Sequence, residues 1–354
     1  MNIKSSQITD LINWLNSLRS VTDFEMPALS KIQEVCIANG INAMYCDGGL
    51  LIGNPQSKIV FMAHVDRIGF VAIGGNLEDG STIDVSYIAK PASVTPKLIK
   101  ERFSEALLIG YDPVTAEDLF IASLLQNKED NYQAKICRVI NPHQLNVSYS
   151  NPIPLTAVKP ALFRIDDYLQ GNFDNSGGLA IALMAVAKYP EQLSCIITVA
   201  EEGGGYQNWP TGGRGALKYI QHHDFEKILV AVDVRPSSLI KSNEQDTRVG
   251  KGVVLREAEF RKDSTNNSRL ILKADKPALD YVKKFALQNN IQYQTFSGLG
   301  ITEAGRAYES LSEGITLRCI WLQPPIANEH SPFEVVSLTD IENTLRIAEE
   351  LRFL

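Results

Sequence analysis

The chain lacks the features that mark several large protein classes. No apolar run approaches the roughly 20 residues that span a bilayer, so a transmembrane helix is excluded. Basic residues are in the minority: 34 Lys and Arg stand against 41 Asp and Glu, a formal charge of -7, which argues against a nucleic-acid or anionic-membrane partner. There are only five cysteines, an odd number with no C-x-x-C pair, so neither a disulfide framework nor a thiolate zinc site is expected; free thiols fit a reducing cytoplasm. No repeat or low-complexity tract occurs. The amino terminus has no continuous apolar stretch after Lys4, and Ile8, Leu11, Ile12 and Leu15 recur instead at helical spacing, which predicts an amphipathic helix rather than a signal peptide.

What is present is a chain of 354 residues, 44% hydrophobic, enough for one large domain or two smaller ones. Up to about residue 72 helix and strand patterns alternate: a helix over 25–38, a hairpin at I-N-A-M-Y-C-D-G-G-L-L-I-G, then the short apolar run I-V-F-M-A of a buried strand. From 73 to 164 the texture is β-like, in pieces such as I-D-V-S-Y-I, A-L-L-I-G-Y, A-K-I-C-R-V-I and Q-L-N-V-S-Y, interrupted by one helix-like run near 116–125. Alternation then resumes, with a helix opened by Asp174-Asn175-Ser176, further strands at 195–200 and 227–232, and a last helix from about Ser337 that Ser337 or Thr339 would cap. The expectation is an α/β fold, a mostly parallel sheet with helices on both faces, formed by 1–72 and 165–354 and interrupted by a smaller inserted β-rich domain at 73–164.

In such sheets ligands collect at the carboxyl ends of the strands. One strand ends in His64-Val65-Asp66, another in Glu201-Glu202, a third in Asp233; Asp174 precedes a helix and His330 follows the last strand in N-E-H-S-P-F-E. Singly, each has an ordinary explanation, because a carboxylate past a strand commonly serves a turn or a helix cap. His222 and His223, at a helix end, need no more than solvation or the helix dipole. Jointly, two imidazoles and at least four carboxylates at one edge require compensating cations. Nitrogen and carboxylate donors without thiolate suit zinc, cobalt or manganese, and a bridging carboxylate would make the site dinuclear, with water between two ions as nucleophile. Adjacent Glu201 and Glu202 then divide their labour: one binds metal while the other faces the water as general base. Asp66, two residues from His64, would accept the second ring N–H.

The motifs F-M-A-H-V-D-R-I-G-F, G-N-F-D-N-S-G-G, T-V-A-E-E-G, A-V-D-V, G-K-G and E-H-S-P-F-E-V-V, in this order, resemble the cocatalytic metallo-aminopeptidases of peptidase family forty-two, the glutamyl and tetrahedral (TET) aminopeptidases. The resemblance implies a zinc-peptidase-like catalytic domain with a β insert that serves assembly and access. It implies two divalent ions, zinc ahead of cobalt or manganese, with His64 and Asp233 on one, Glu202 and His330 on the other and Asp174 between them. Glu201 would be base and later proton donor, and Asp66 would orient His64. The expected protein is a cytoplasmic homo-oligomer that removes amino-terminal residues from short peptides. The alternatives are a related amide hydrolase such as an N-acyl amino acid deacylase, or a catalytically silent binding or scaffold relative. The chain departs from the family pattern at Ser176, at the long 203–213 loop, at Gly300-Ile301-Thr302-Glu303-Ala304 and at L-Q-P-P-I-A-N-E, which bears on specificity and assembly.

Overall fold

Continuous apolar strands form the centre of a nine-stranded sheet. In the computed structural model, which describes residues 1–88, 96–103, 106–125, 132–142, 152–158, 162–203, 212–222, 224, 226–239, 247–263, 265–311 and 316–354, every residue of Leu193–Thr198, Ile59–His64, Ile228–Val232 and Cys319–Gln323 is buried. These four strands are adjacent and parallel. Outside them the pairing changes. The hairpin Ala43–Cys46 and Gly49–Gly53, turned at Asp47-Gly48, adds antiparallel to Leu193–Thr198, and Val253–Lys262 adds antiparallel to Cys319–Gln323. Ser268–Lys273 pairs antiparallel and Tyr293–Leu299 parallel with Val253–Lys262. The sheet is therefore mixed, its parallel character concentrated where the strands are buried on both faces.

Side chains alternate across it as a strand requires. Phe61 and Ala63 join a core with Leu11, Leu29, Ile181 and Ile341, from helices Ile8–Ser17, Met26–Ala38, Ser176–Lys188 and Leu338–Glu350. Val60 and Met62 face the other way, onto Ala216 and Ile220 of helix Arg214–Gln221 and Ala304 and Ala307 of helix Glu303–Glu309. Ser176–Lys188 is buried on nearly all sides, as its alanine-rich, almost uncharged sequence predicts. Asn175 caps it by accepting from the Gly178 amide at 3.1 Å, and a Cβ at position 178 would collide with that Asn175 oxygen and with the Val232 carbonyl. Ser337, not Thr339, caps the last helix through the Asp340 amide.

A separate closed barrel is formed by six strands between Phe70 and Ala157, in the order Phe70–Gly75, Thr82–Tyr87, Tyr132–Val139, Asp118–Leu125, Leu107–Tyr111 and Ile153–Ala157. Its own core gathers Phe70, Tyr87, Phe103 and Tyr132. The helix-like run near 116–125 is a strand here. Ala116 is in the left-handed region at φ 61°, which ends any helix, and the residues after it pair on both sides with Leu107–Tyr111 and Tyr132–Val139. A short apolar run is ambiguous by periodicity, and barrel pairing decides it. The Q-L-N-V-S-Y piece lies outside the described residues. No described helix is long and apolar enough to cross a membrane.

A small five-stranded sheet completes the frame, in the order Phe163–Ile165, Tyr168–Gly171, Glu334–Ser337, Pro325–Ala327, Arg235–Pro236. It fixes the segments just before Asp174, just after Asp233 and on both sides of His330.

Candidate metal centre

Three neighbouring parallel strands deliver their ends to one edge: Ile59–His64 brings His64 and Asp66, Leu193–Thr198 leads to Glu201 and Glu202, and Ile228–Val232 leads to Asp233. The small sheet brings Asp174 and His330 to the same place. Asp174 lies between the two histidines. Its Oδ1 is 3.3 Å from His64 Nε2, and its Oδ2 is 3.2 Å from His330 Nε2. Asp233 Oδ1 approaches His64 Nε2 at 3.6 Å, and Glu202 Oε2 approaches His330 Nε2 at 3.5 Å. Two compact donor groups result, His64–Asp174–Asp233 and Asp174–Glu202–His330, and they share one carboxylate. His64, Glu201 and Glu202 make a third close group.

The electrostatics of this cluster call for cations. Burial alone pushes both imidazoles toward neutrality, yet the carboxylates outweigh it: Asp174, Asp233 and Asp66 raise His64 well above its ordinary value, and Glu202 and Asp174 do the same for His330. Burial also drives Glu202 well above the usual carboxylate range, against the pull of His330. Asp174 moves the other way, because hydrogen bonds from the His330 and His64 rings overcome its burial. The carboxylates thus favour positive charge at both histidines. The donors fit divalent ions: two ring nitrogens and several carboxylates converge, with the His64 Nδ1 already engaged by the Asp66 carbonyl at 3.1 Å, which leaves Nε2 for the cluster.

That last contact refines the role expected of Asp66. Its main-chain oxygen meets the His64 ring, whereas its carboxylate is 3.6 Å from Nδ1. The carboxylate instead accepts the Glu201 and Glu202 amides, at 2.9 and 3.1 Å, and the Thr22 hydroxyl at 2.9 Å. Asp66 therefore holds the two glutamates by their backbone. Just before them Ala200 takes φ 55°, a left-handed turn secured by a 3.0 Å bond from its amide to Glu25.

Glu334 does the same for the other half, and nothing in the sequence reading singled it out. Its Oε2 accepts the Phe173 and Asp174 amides at 2.5 and 2.9 Å, and its Oε1 accepts the His330 amide at 2.9 Å. His330 itself sits at φ 59°. The available signal was the spacing E-H-S-P-F-E, a carboxylate four residues beyond the histidine. Three further side chains were also missed. Arg306 Nη1 lies 3.1 Å from Glu201 Oε1 and donates to the Glu201 carbonyl at 2.6 Å. Burial raises Glu201 while this guanidinium opposes the shift. Glu303, buried beside the cluster, accepts the Thr198 hydroxyl, and burial pushes it up to about 8. Arg67 is buried behind Asp66, and burial lowers it only to about 10, so it keeps its charge. The cleft itself is walled by the cluster together with Arg235, Arg256, Thr302 and Glu329. Residues 204–211 of the long loop lie outside the described residues.

A family model for the M42 glutamyl aminopeptidases matches residues 159–347, more than half of the chain. The chain belongs to the M42 glutamyl aminopeptidase family. It is thus a peptide hydrolase, and membership makes it a metal-dependent aminopeptidase. Solved structures share the fold over nearly the whole length. Aminopeptidase APDkam598 from the archaeon Desulfurococcus kamchatkensis superposes with a TM-score of 0.74 at 19% identity, over 97% of this chain and 93% of that one. A TET aminopeptidase from a marine-sediment thaumarchaeon gives 0.74 at 16% identity, over 98% and 96%. The Pyrococcus horikoshii TET1 peptidase, which assembles into a tetrahedron or a large octahedral shell, gives 0.71 at 17% identity, over 98% and 99%. A search of curated proteins finds no match.

Proposed function

We propose that this M42 enzyme is a dinuclear aminopeptidase that removes amino-terminal residues from short peptides, with Glu201 as its proton-transfer group. The observation that carries the reading is Asp174, whose two oxygens face different histidines, each accompanied by one further carboxylate. His64 and Asp233 would hold one ion, Glu202 and His330 the other, and Asp174 both; zinc suits these donors best, with cobalt or manganese next. Bound ions would polarise the scissile carbonyl and make water acidic enough to react at neutral pH.

The protein's own groups do the rest. Glu201 lines the cleft but is no member of the two groups that share Asp174, so it is free to take a proton from the attacking water and return it to the leaving amine. Arg306 contacts its Oε1, which leaves Oε2 for that proton. Asp66, by clamping the Glu201 and Glu202 amides, keeps the base and its metal-binding neighbour pointing apart. Residues 1–72 and 165–354 would form the catalytic domain and 73–164 an insert, with the closed barrel as its body. A homo-oligomer fits the assemblies of the structural neighbours, and five unpaired cysteines fit a cytoplasmic setting.

The test is mass spectrometry on unblocked and acetyl-blocked peptides with zinc-loaded protein, chelated protein and Glu201→Gln. Stepwise loss of amino-terminal residues from unblocked peptides only, abolished by chelation and by the substitution, is expected. Cleavage restricted to the acetyl-blocked set would make the protein a deacylase, and bound metal with no cleavage at all would make it a silent relative.

A further inference from the structure

A second recess adjoins the cleft and shares Asp174, Glu202 and His330 with it. His64, Asp233 and Glu201 do not line it, so it meets the cluster only from the Glu202–His330 side. Arg67, Phe103, Thr156 and Asn172 form much of the remaining wall. Phe103 and Thr156 come from the barrel core and a barrel strand, so the recess lies where barrel and catalytic sheet meet.

Arg67 is the unexplained group. The residue is 5% exposed, and the one hydrogen bond of its guanidinium among the described residues is a 3.3 Å contact from Nη2 to the Leu15 carbonyl. Nε and Nη1 are buried and have no acceptor among the described residues. A buried guanidinium with two idle donors is costly unless something fills them. The neighbouring carboxylates are engaged elsewhere: Glu334 by three backbone amides, Asp174 and Glu202 by the histidines. An arginine grips a carboxylate with two parallel bonds from Nε and Nη2 or from Nη1 and Nη2, and because Nη2 carries two N–H groups and gives one to Leu15, either idle donor can join it in such a fork. Asn172 Oδ1, also without a partner among the described residues, adds an acceptor suited to a peptide N–H.

We propose that Arg67 makes this recess a carboxylate subsite, which grips an anionic end of the substrate beside the Asp174–Glu202–His330 group. The inference rests on the aminopeptidase reading of the adjoining cleft. The carboxylate has two sources in a short peptide: the carboxyl terminus of a dipeptide, or an acidic side chain on the terminal residue.

Steady-state kinetics on the zinc-loaded full chain separate them with two matched pairs, Leu-Ala against Leu-Ala amide, and Glu-Ala amide against Gln-Ala amide. The wild type is expected to favour the carboxylate member of one pair by about tenfold or more in kcat/KM, the size of a charge-assisted hydrogen bond, and mainly through KM. A preference in the first pair assigns the carboxyl terminus, and one in the second assigns the side chain. Arg67→Gln should erase that preference and Arg67→Lys retain part of it, whereas a merely structural arginine would lower all four substrates alike. The wild-type ratios decide even if Arg67→Gln fails to fold. Equal rates within both pairs, or a preference undiminished in Arg67→Gln, overturns the subsite and leaves the aminopeptidase reading intact. No cleavage of any substrate overturns both.

Discussion

Replacing Glu334 by glutamine isolates the backbone clamp behind the candidate metal site. The wild-type carboxylate receives three buried amides, from Phe173 and Asp174 on one oxygen and from His330 on the other. A glutamine of the same shape keeps one oxygen, and its best orientation serves Phe173 and Asp174. The His330 amide then faces an NH2 group, and one buried donor without an acceptor costs about 1–3 kcal/mol. The opposite orientation strands two donors and costs about twice that. Denaturant unfolding of the chelated protein at pH 9 measures this term with the wild-type group ionised, because burial and Asp174 push Glu334 up to about 8. The loss should also reach metal binding unevenly. His330 is held at φ 59° with that amide bond as a restraint, so the Asp174–Glu202–His330 group should loosen. Removing a group that supports a ligand typically weakens metal affinity by about 10–100-fold. Zinc titration against a competing chelator at the same pH 9 should therefore show one binding event close to wild type and a second weakened to that extent. An unchanged unfolding midpoint together with two unchanged binding events would refute the clamp.

The Glu201 and Glu202 amides bind different oxygens of Asp66, so Asp66→Asn keeps an acceptor for only one of them and faces the other with a donor. Its kcat should fall by about 10–100-fold while metal content stays at the wild-type level, as read by turnover and metal analysis together; full activity would remove Asp66 from the positioning role. In the barrel, Phe70 is fully buried, with ring centroids 5.2 Å from Tyr87, 5.4 Å from Phe103 and 5.9 Å from Tyr132. Phe70→Ala should cost about 3–5 kcal/mol in denaturant unfolding, and a loss below about 1 kcal/mol would mean that this cluster does not hold the barrel.

The residues legible in the sequence share one property: each stands at the end of an apolar strand or the start of a helix, where local pattern alone marks the position. His64, Glu201, Glu202 and Asp233 follow buried runs, Asp174 precedes a capped helix, and the structure gathers them with His330 around one centre. Periodicity carries no such mark for pairing partners. It therefore overstated how parallel the sheet is, since whether Gly49–Gly53 joins Leu193–Thr198 antiparallel depends on residues some 140 positions away. It also read Asp118–Leu125 as helical, when two barrel neighbours hold that segment extended.

The supporting charges were hidden for the same reason. Glu334 looks like an ordinary strand residue until the fold places the amides of Phe173 and Asp174 against it, 161 and 160 positions earlier in the chain. Asp66 was noticed for its spacing from His64, yet its carboxylate serves amides 135 and 136 positions downstream. The two carboxylates act alike: neither belongs to the groups around Asp174, and each holds backbone amides of residues that do, Glu202 for Asp66 and Asp174 with His330 for Glu334. Donor atoms can be read from residue type and local context, but what holds them in register is long-range contact to main chain, which has the same chemistry at every position and so leaves no trace in the residue letters.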